Sequence, residues 1–259
     1  STEGWVDVMA GRSRFKVVSF PTKDFPELPL GPGVGGGTQV RVAAGTLREM
    51  IDKTIFAVST DETRFNLSGV YVVGGEKGVL RMVATDGHRL AMIDRTLSAV
   101  KLERGVILPR KGLAEARKLL DEAQEGELNL VVSPKDVRIT MPNVSFFMRL
   151  VEGEFPDYRQ VIPGSTRASV RANRDDLLAS LRRTSLLASE RSRGVKLHLE
   201  RGRLELSASN PDQGEASEDI EVAYAGEPLT IGFNARYLLD VLAVHAEGDV
   251  VEIALTDEV

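Results

Sequence analysis

Two hydrophobic periods alternate along this chain, and the order in which they follow one another recurs. VRVAAGTLREMIDKTIFAVS (Val40 to Ser59) reads as a short strand running into an amphipathic helix. One face of that helix carries Leu47, Met50, Ile51, Thr54 and Ile55, the spacing of a buried helical stripe. SVRANRDDLLASLRRTSLLAS (Ser169 to Ser189) follows the same order. Downstream, GVYVVGGEKGVLRMVATDG (Gly69 to Gly87) aligns with GVKLHLERGRLELSASNPD (Gly194 to Asp212), each a hairpin of near-period-two strands around a glycine-containing turn. VILPRKGLAEARKLL (Val106 to Leu120) aligns with TIGFNARYLLDVLAV (Thr230 to Val244), again strand into helix. GELNLVVSPKDV (Gly126 to Val137) aligns without a gap with GDVVEIALTDEV (Gly248 to Val259).

The offsets between blocks stay close to one another, so whole domains repeat rather than solenoid units. The predicted fold class is α+β, with tandem repeated domains each of two helices and two small antiparallel sheets. A third copy shows at the start, where FKVVSFPTKDFPELP (Phe15 to Pro29) resembles FFMRLVEGEFPDYRQVIP (Phe146 to Pro163). The expected organisation is the end of one domain over 1–30, a glycine-rich linker over 31–37, a complete domain over 38–163, and a last domain over 164–259 without its final strands. GPGVGGG (Gly31 to Gly37) is expected to be a linker. A phosphate loop needs a strand before it and a helix after it, and a proline-rich stretch precedes this one.

Bulk properties narrow the function classes. The 259 residues give room for about two domains of roughly 100–200 residues each. With no cysteine, disulfides, thiol catalysis and Cys-metal sites are excluded. No apolar run approaches the ~20 residues of a membrane span, and the N-terminus has neither the basic nor the apolar part of a signal peptide. A cytoplasmic protein is expected. The net charge of −5, taken alone, argues against nucleic-acid binding.

The distribution of charge qualifies that argument. Arg110 and Arg117, like Lys111 and Lys118, stand about two helical turns apart and predict a basic stripe opposite Leu113, Ala116, Leu119 and Leu120. Arg174, Arg182 and Arg183 lie on another predicted helix. Arg48, Lys53 and Arg236 are sparser and mixed with acids. Such faces could approach phosphates despite the overall sign, or could be ordinary solvated helix surfaces. No helix-turn-helix, zinc-finger or RNA-platform motif is present, so any DNA contact would be to the backbone without base readout.

Catalytic chemistry is poorly supported. The three histidines are His88, His198 and His245. Asp86 and His88 in ATDGHRLA could suggest a relay, but Asp-Gly predicts a tight turn between strands, and no nucleophile elbow or metal-ligand spacing accompanies it. His198 falls mid-strand and His245 at a helix end, and both read as structural. No metal and no cofactor is called for.

VATDGHRLAMIDR (Val83 to Arg95) resembles the signature of the bacterial sliding clamp family, the beta subunit of DNA polymerase III. LPRKGLAEARKLL, EGEFPDYRQVIP, RGVKLHLERGRLELSASNP and IGFNARYLLDVL match that family in the same order, over essentially the whole chain. The resemblance implies a DNA clamp fold, three domains per subunit, and a head-to-tail homodimeric ring of the full-length protein around duplex DNA. It implies a non-catalytic processivity factor that tethers the replicative polymerase. Partners would be the DNA polymerase III alpha subunit, the clamp loader, and other polymerases and repair proteins bearing short linear motifs. Residue by residue, the partner-peptide pocket would use Leu67, Thr85, Gly87, His88, Arg89 and Leu90, with Pro156 and Val161 from the connector and Asn234, Tyr237 and Val259 from the last domain. Gln160 stands where the family often has arginine. The DNA-facing set would be Arg48, Lys53, Arg64, Arg110, Lys111, Arg117, Lys118, Arg174, Arg182 and Arg183. The 259-residue segment by itself is not expected to close a ring. Two rival readings are a peptide-binding scaffold that never meets DNA and a hydrolase built on Asp86 and His88.

Overall fold

The computed structural model describes residues 4–25, 37–61, 63–97, 100, 102, 104–122 and 126–256. The chain forms two compact units, Ser1–Gly37 and Thr38–Val259. In the first, β1 (Trp5–Ala10) and β2 (Ser13–Val18) make an antiparallel hairpin, with Trp5 opposite Val18 and Ala10 opposite Ser13. Both strands are exposed throughout, and the Lys16 ammonium lies 5.5 Å from the centre of the Trp5 ring. The glycine run lies, apart from Gly37, outside the described residues.

The second unit carries one element order twice, and the first pass ends with two strands more than the second. Its first pass is β3 (Thr38–Ala43), α1 (Ala44–Asp52), β4 (Gly69–Gly74), β5 (Val79–Thr85), β6 (Leu90–Thr96), β7 (Val106–Pro109), α2 (Arg110–Glu122), β8 (Glu127–Val132), β9 (Asp136–Thr140) and β10 (Ser145–Arg149). Its second is β11 (Ala168–Asn173), α3 (Arg174–Thr184), β12 (Gly194–Glu200), β13 (Arg203–Asn210), β14 (Gly214–Glu221), β15 (Leu229–Asn234), α4 (Ala235–Ala243) and β16 (Val250–Leu255). One sheet of each pass agrees strand for strand with its counterpart, whereas the sheet of β3 and β8 extends through β9 to β10 and that of β11 and β16 has two strands. One runs β6-β5-β4-β7 and its counterpart β14-β13-β12-β15, while β3 pairs with β8 as β11 pairs with β16, all antiparallel. This is the α+β repeat that the hydrophobic pattern predicts.

Each pass has its own core. Val40, Leu47, Met50, Ile51, Leu80, Met82, Leu113 and Leu130 fill the first; Val170, Leu177, Leu181, Leu197, Leu204 and Leu206 fill the second. Burial of each such side chain contributes about 1.5–3 kcal/mol. The helix starts differ in strength. Asn173 Oδ1 accepts from the backbone N–H of Asp175 and Asp176 at 2.8 and 3.2 Å, whereas Ala43, before α1, has no side chain that can do so.

Two sequence expectations need adjustment. The apolar stripe of α1 outlasts the helix, which stops at Asp52, with Thr54 and Ile55 in the turn beyond it. Thr54 stays fully buried because its hydroxyl donates to the Met50 carbonyl at 2.7 Å, and Thr184 repeats this on Ser180 at 2.8 Å. On α2, Leu113, Ala116 and Leu120 are buried, but Leu119 is only half-buried at the margin of the core.

Candidate partner-docking site

Asp86 to Arg89 form the turn joining β5 to β6, and its shape is set by its own side chains. Asp86 Oδ1 accepts from the backbone N–H of His88 and Arg89 at 2.9 and 3.0 Å. Thr85 Oγ1 donates to the Arg89 carbonyl at 2.7 Å and accepts from the Gly87 N–H at 3.1 Å. Gly87 has φ +88°, where a side chain is strained, and a Cβ there would come 2.7 Å from Arg64 Nη1.

Arg89 is the hub. Its Nε donates to Asp86 Oδ2 at 3.0 Å, Nη1 to Asp240 Oδ2 at 2.6 Å, and Nη2 to the Phe56 carbonyl at 2.7 Å. The guanidinium also covers the Tyr237 ring, 4.7 Å from its centre, and lies 5.5 Å from that of Phe56. Only 15% of the Arg89 side chain is exposed. Burial pushes the Asp86 carboxyl upward, but the two backbone N–H bonds and Arg89 outweigh it and hold it below the usual carboxylate range. Both Asp86 oxygens are thus occupied and neither contacts the His88 ring, so the geometry offers no relay for a hydrolase.

The structure brings Thr85, Gly87, Arg89 and Tyr237 together. Leu67 is buried under a short turn whose neighbour Phe65 is 60% exposed. Leu90 is half-buried and His88 exposed. Pro156 and Val161 lie exposed on the connector between the two passes, and Gln160 spends its amide on Asp157 Oδ2 at 3.2 Å. Asn234 caps α4, accepting from the Arg236 N–H at 3.0 Å, so it has a structural duty whatever else it does. Val259 lies outside the described residues. Sequence reasoning missed Asp240 and Phe56. Asp240 was findable, because it stands one helical turn after Tyr237 and therefore on the same face.

The basic residues are mostly engaged. Arg48 pairs with Asp121, Lys53 with Glu49, Arg117 with Asp52 and Asp121, Lys118 with Glu115, and Arg183 with Glu218. Arg64 does not stand on a helix; it pairs with Asp61, and its Nη1 donates to the Asp86 carbonyl at 3.2 Å, placing it beside the β5–β6 turn. Arg174 differs from the other cations of its helix. It is 12% exposed, with Nε donating to the Leu242 carbonyl at 2.8 Å and Nη1 held by Asp175, so it stitches α3 to α4. Among the described residues Arg110, Lys111 and Arg182 are exposed without an acidic partner. Also among these residues, no group of three or more His, Asp or Glu could hold a metal, and no helix is long and apolar enough to cross a membrane.

The repeated α+β pass, with the β5–β6 turn tied to the next pass, defines a tandem-domain protein of the clamp fold. A family model described as the central domain of the DNA polymerase III beta subunit matches residues 41–157, and one described as its C-terminal domain matches residues 159–259. The beta sliding clamp of Pseudomonas aeruginosa is 43% identical over 239 residues, 92% of this chain and 64% of that protein. The clamp of Caulobacter vibrioides is 43% identical over 240 residues, 90% of this chain and 63% of that protein. Among solved structures, the DnaN sliding clamp of Bartonella birtlesii bound to griselimycin superposes with a TM-score of 0.90 at 39% identity, covering 99% of this chain and 68% of that one. The P. aeruginosa clamp superposes at 0.89 with 40% identity, covering 99% and 69%. The chain belongs to the DNA polymerase III beta-subunit, or beta sliding clamp, family. It spans about 64% of the length of the P. aeruginosa relative.

Proposed function

We propose that this chain is the greater part of a cytoplasmic clamp subunit: the end of a first domain over 1–30, a linker over 31–37, a second domain over 38–163 and most of a third over 164–259. Two full-length subunits joined head to tail encircle duplex DNA without reading its sequence and hold the replicative polymerase near the primer end. The subunit is non-catalytic. Its contribution is topological, because a partner tethered to a ring keeps a high effective concentration on the template. The DNA polymerase III alpha subunit, the clamp loader and repair proteins dock through short linear motifs at the surface around Thr85–Leu90, Leu67, the connector and Tyr237.

The observation carrying this reading is the ordered match of two consecutive beta-subunit domains along one chain. The test uses the full-length protein loaded on nicked circular DNA. Retention on the circle and release on linearisation is expected; equal loss from both forms would sink the ring.

The pairing of so many helix cations with acids supports the rival scaffold without DNA contact. Exposed ion pairs are worth about 0–1 kcal/mol, so phosphates can compete for the same cations. Arg110, Lys111 and Arg182 are the first contacts to examine. Unchanged retention after their charge reversal would mean that these three cations are not the DNA contacts, whereas no retention of the unaltered protein on the circle would favour the scaffold.

A further inference from the structure

We infer that the aromatic pair Phe155 and Tyr158 is a latch that positions the connector's part of the docking surface. This rests on the docking reading above and deepens it. The connector alternates anchored and presented side chains. Phe155 is half-buried, Pro156 exposed, Tyr158 buried and Val161 exposed. The residues assigned to partner contact are therefore the neighbours of those held down.

The anchors converge on the outer side of the β4–β5–β6 sheet. The Phe155 ring stacks on Tyr71 of β4 with centroids 4.9 Å apart and planes at 9°. Tyr158 tilts against the same Tyr71 ring at 6.3 Å. Its hydroxyl accepts from Arg81 Nη1 at 3.3 Å, and Arg81 is itself fixed by a two-pronged pair to Asp94 at 2.7 and 2.6 Å. Ahead of the latch, Asn66 Nδ2 donates to the Glu154 carbonyl at 3.1 Å. That bond joins the connector to the short turn containing Leu67, another residue of the docking surface. Asp157 Oδ1 accepts from the Arg159 N–H at 3.3 Å and starts the tight turn that carries Val161. Gly105 leaves room for this arrangement, since a Cβ there would fall 2.1 Å from the Tyr71 hydroxyl. None of these anchors belongs to the assigned contact surface, so they act by holding its members in place and lowering the ordering cost of binding.

With griselimycin, the ligand held by the Bartonella birtlesii clamp, as the docking probe, the test measures its affinity, the stability and the hydrogen exchange of the 156–162 amides in the full-length protein. Phe155→Ala is expected to weaken binding roughly tenfold, to speed exchange over 156–162, and to leave a cooperatively folded protein. Phe155→Tyr, which keeps the stack, is expected to retain wild-type affinity and protection. Tyr158→Phe, which removes only the bond from Arg81, is expected to fall between them. A folded Phe155→Ala protein with wild-type affinity would overturn the latch, as would faster exchange without a change in affinity. If Phe155→Ala does not fold, Tyr158→Phe decides alone: unchanged affinity and exchange overturn the proposal. Wild-type protein that fails to bind griselimycin, or binds it unaffected by Tyr237→Ala, would instead remove the docking reading, and the latch with it.

Discussion

Arg89 Nη1 lies 2.6 Å from Asp240 Oδ2, and this contact ties the β5–β6 turn of one pass to α4 of the next. Both side chains are largely sheltered, 15% and 31% exposed, so solvent screens the pair less than most surface bridges. Asp240→Asn is expected to cost about 1.5–3 kcal/mol, the range for a hydrogen bond to a charged group. A double-mutant cycle with Arg89→Ala, read by urea denaturation, checks it. Additive losses would show that the two residues are not coupled.

Acid should weaken the same turn. The folded Asp86 carboxyl titrates below the unfolded value of about 3.9, so its ionised form is the one the fold favours. That stabilisation is fully present above the unfolded value and is lost as pH falls through the folded one. Asp86→Asn keeps an acceptor for the two backbone N–H groups but loses the charge. It is expected to be less stable than wild type at pH 7, with the deficit shrinking as pH drops below about 4. A deficit independent of pH would contradict the ion pair.

Gly87→Ala addresses the turn through its backbone. At φ +88° an added Cβ is strained and meets Arg64 Nη1. The expected loss is about 1–2 kcal/mol, with the Arg64 bond to the Asp86 carbonyl broken as Arg64 is displaced. Unfolding midpoints report the loss; an unchanged midpoint would show that the turn accommodates the added side chain.

Charge on α2 is tested by salt. Arg110→Glu and Lys111→Glu together are expected to lower DNA affinity and to flatten the dependence of log K on log salt by about 2, one for each lost phosphate contact. Lys118→Glu, whose partner Glu115 already neutralises it, should change the slope less. Equal slopes for both variants would mean that the free cations are not the contacts.

Leu181 is fully buried in the second core. Leu181→Ala is expected to destabilise by about 2–5 kcal/mol. A loss below this range in chemical denaturation would show that the second core can close over the space left by the side chain.

What the sequence determined by itself was local and repetitive. The strand-into-helix blocks at Val40 and Ser169, the hairpins after Gly69 and Gly194, and the Asp-Gly turn all follow from hydrophobic period and turn chemistry, which neighbouring residues carry. The α+β class and most buried positions were therefore legible. The Asp-Gly turn of the ordered family motifs is where the structure gathers Thr85, Gly87 and Arg89. Tertiary structure decided which charges are available. Arg174 reads as a helix cation but is drawn inward because the Leu242 carbonyl and Asp175 are there to receive it. Arg64 joins the β5–β6 turn because a carbonyl 22 residues away faces it. The link from Arg89 to Asp240 spans 151 residues. Such pairings depend on where the fold puts two distant chain segments, and no spacing or period along the sequence encodes that distance.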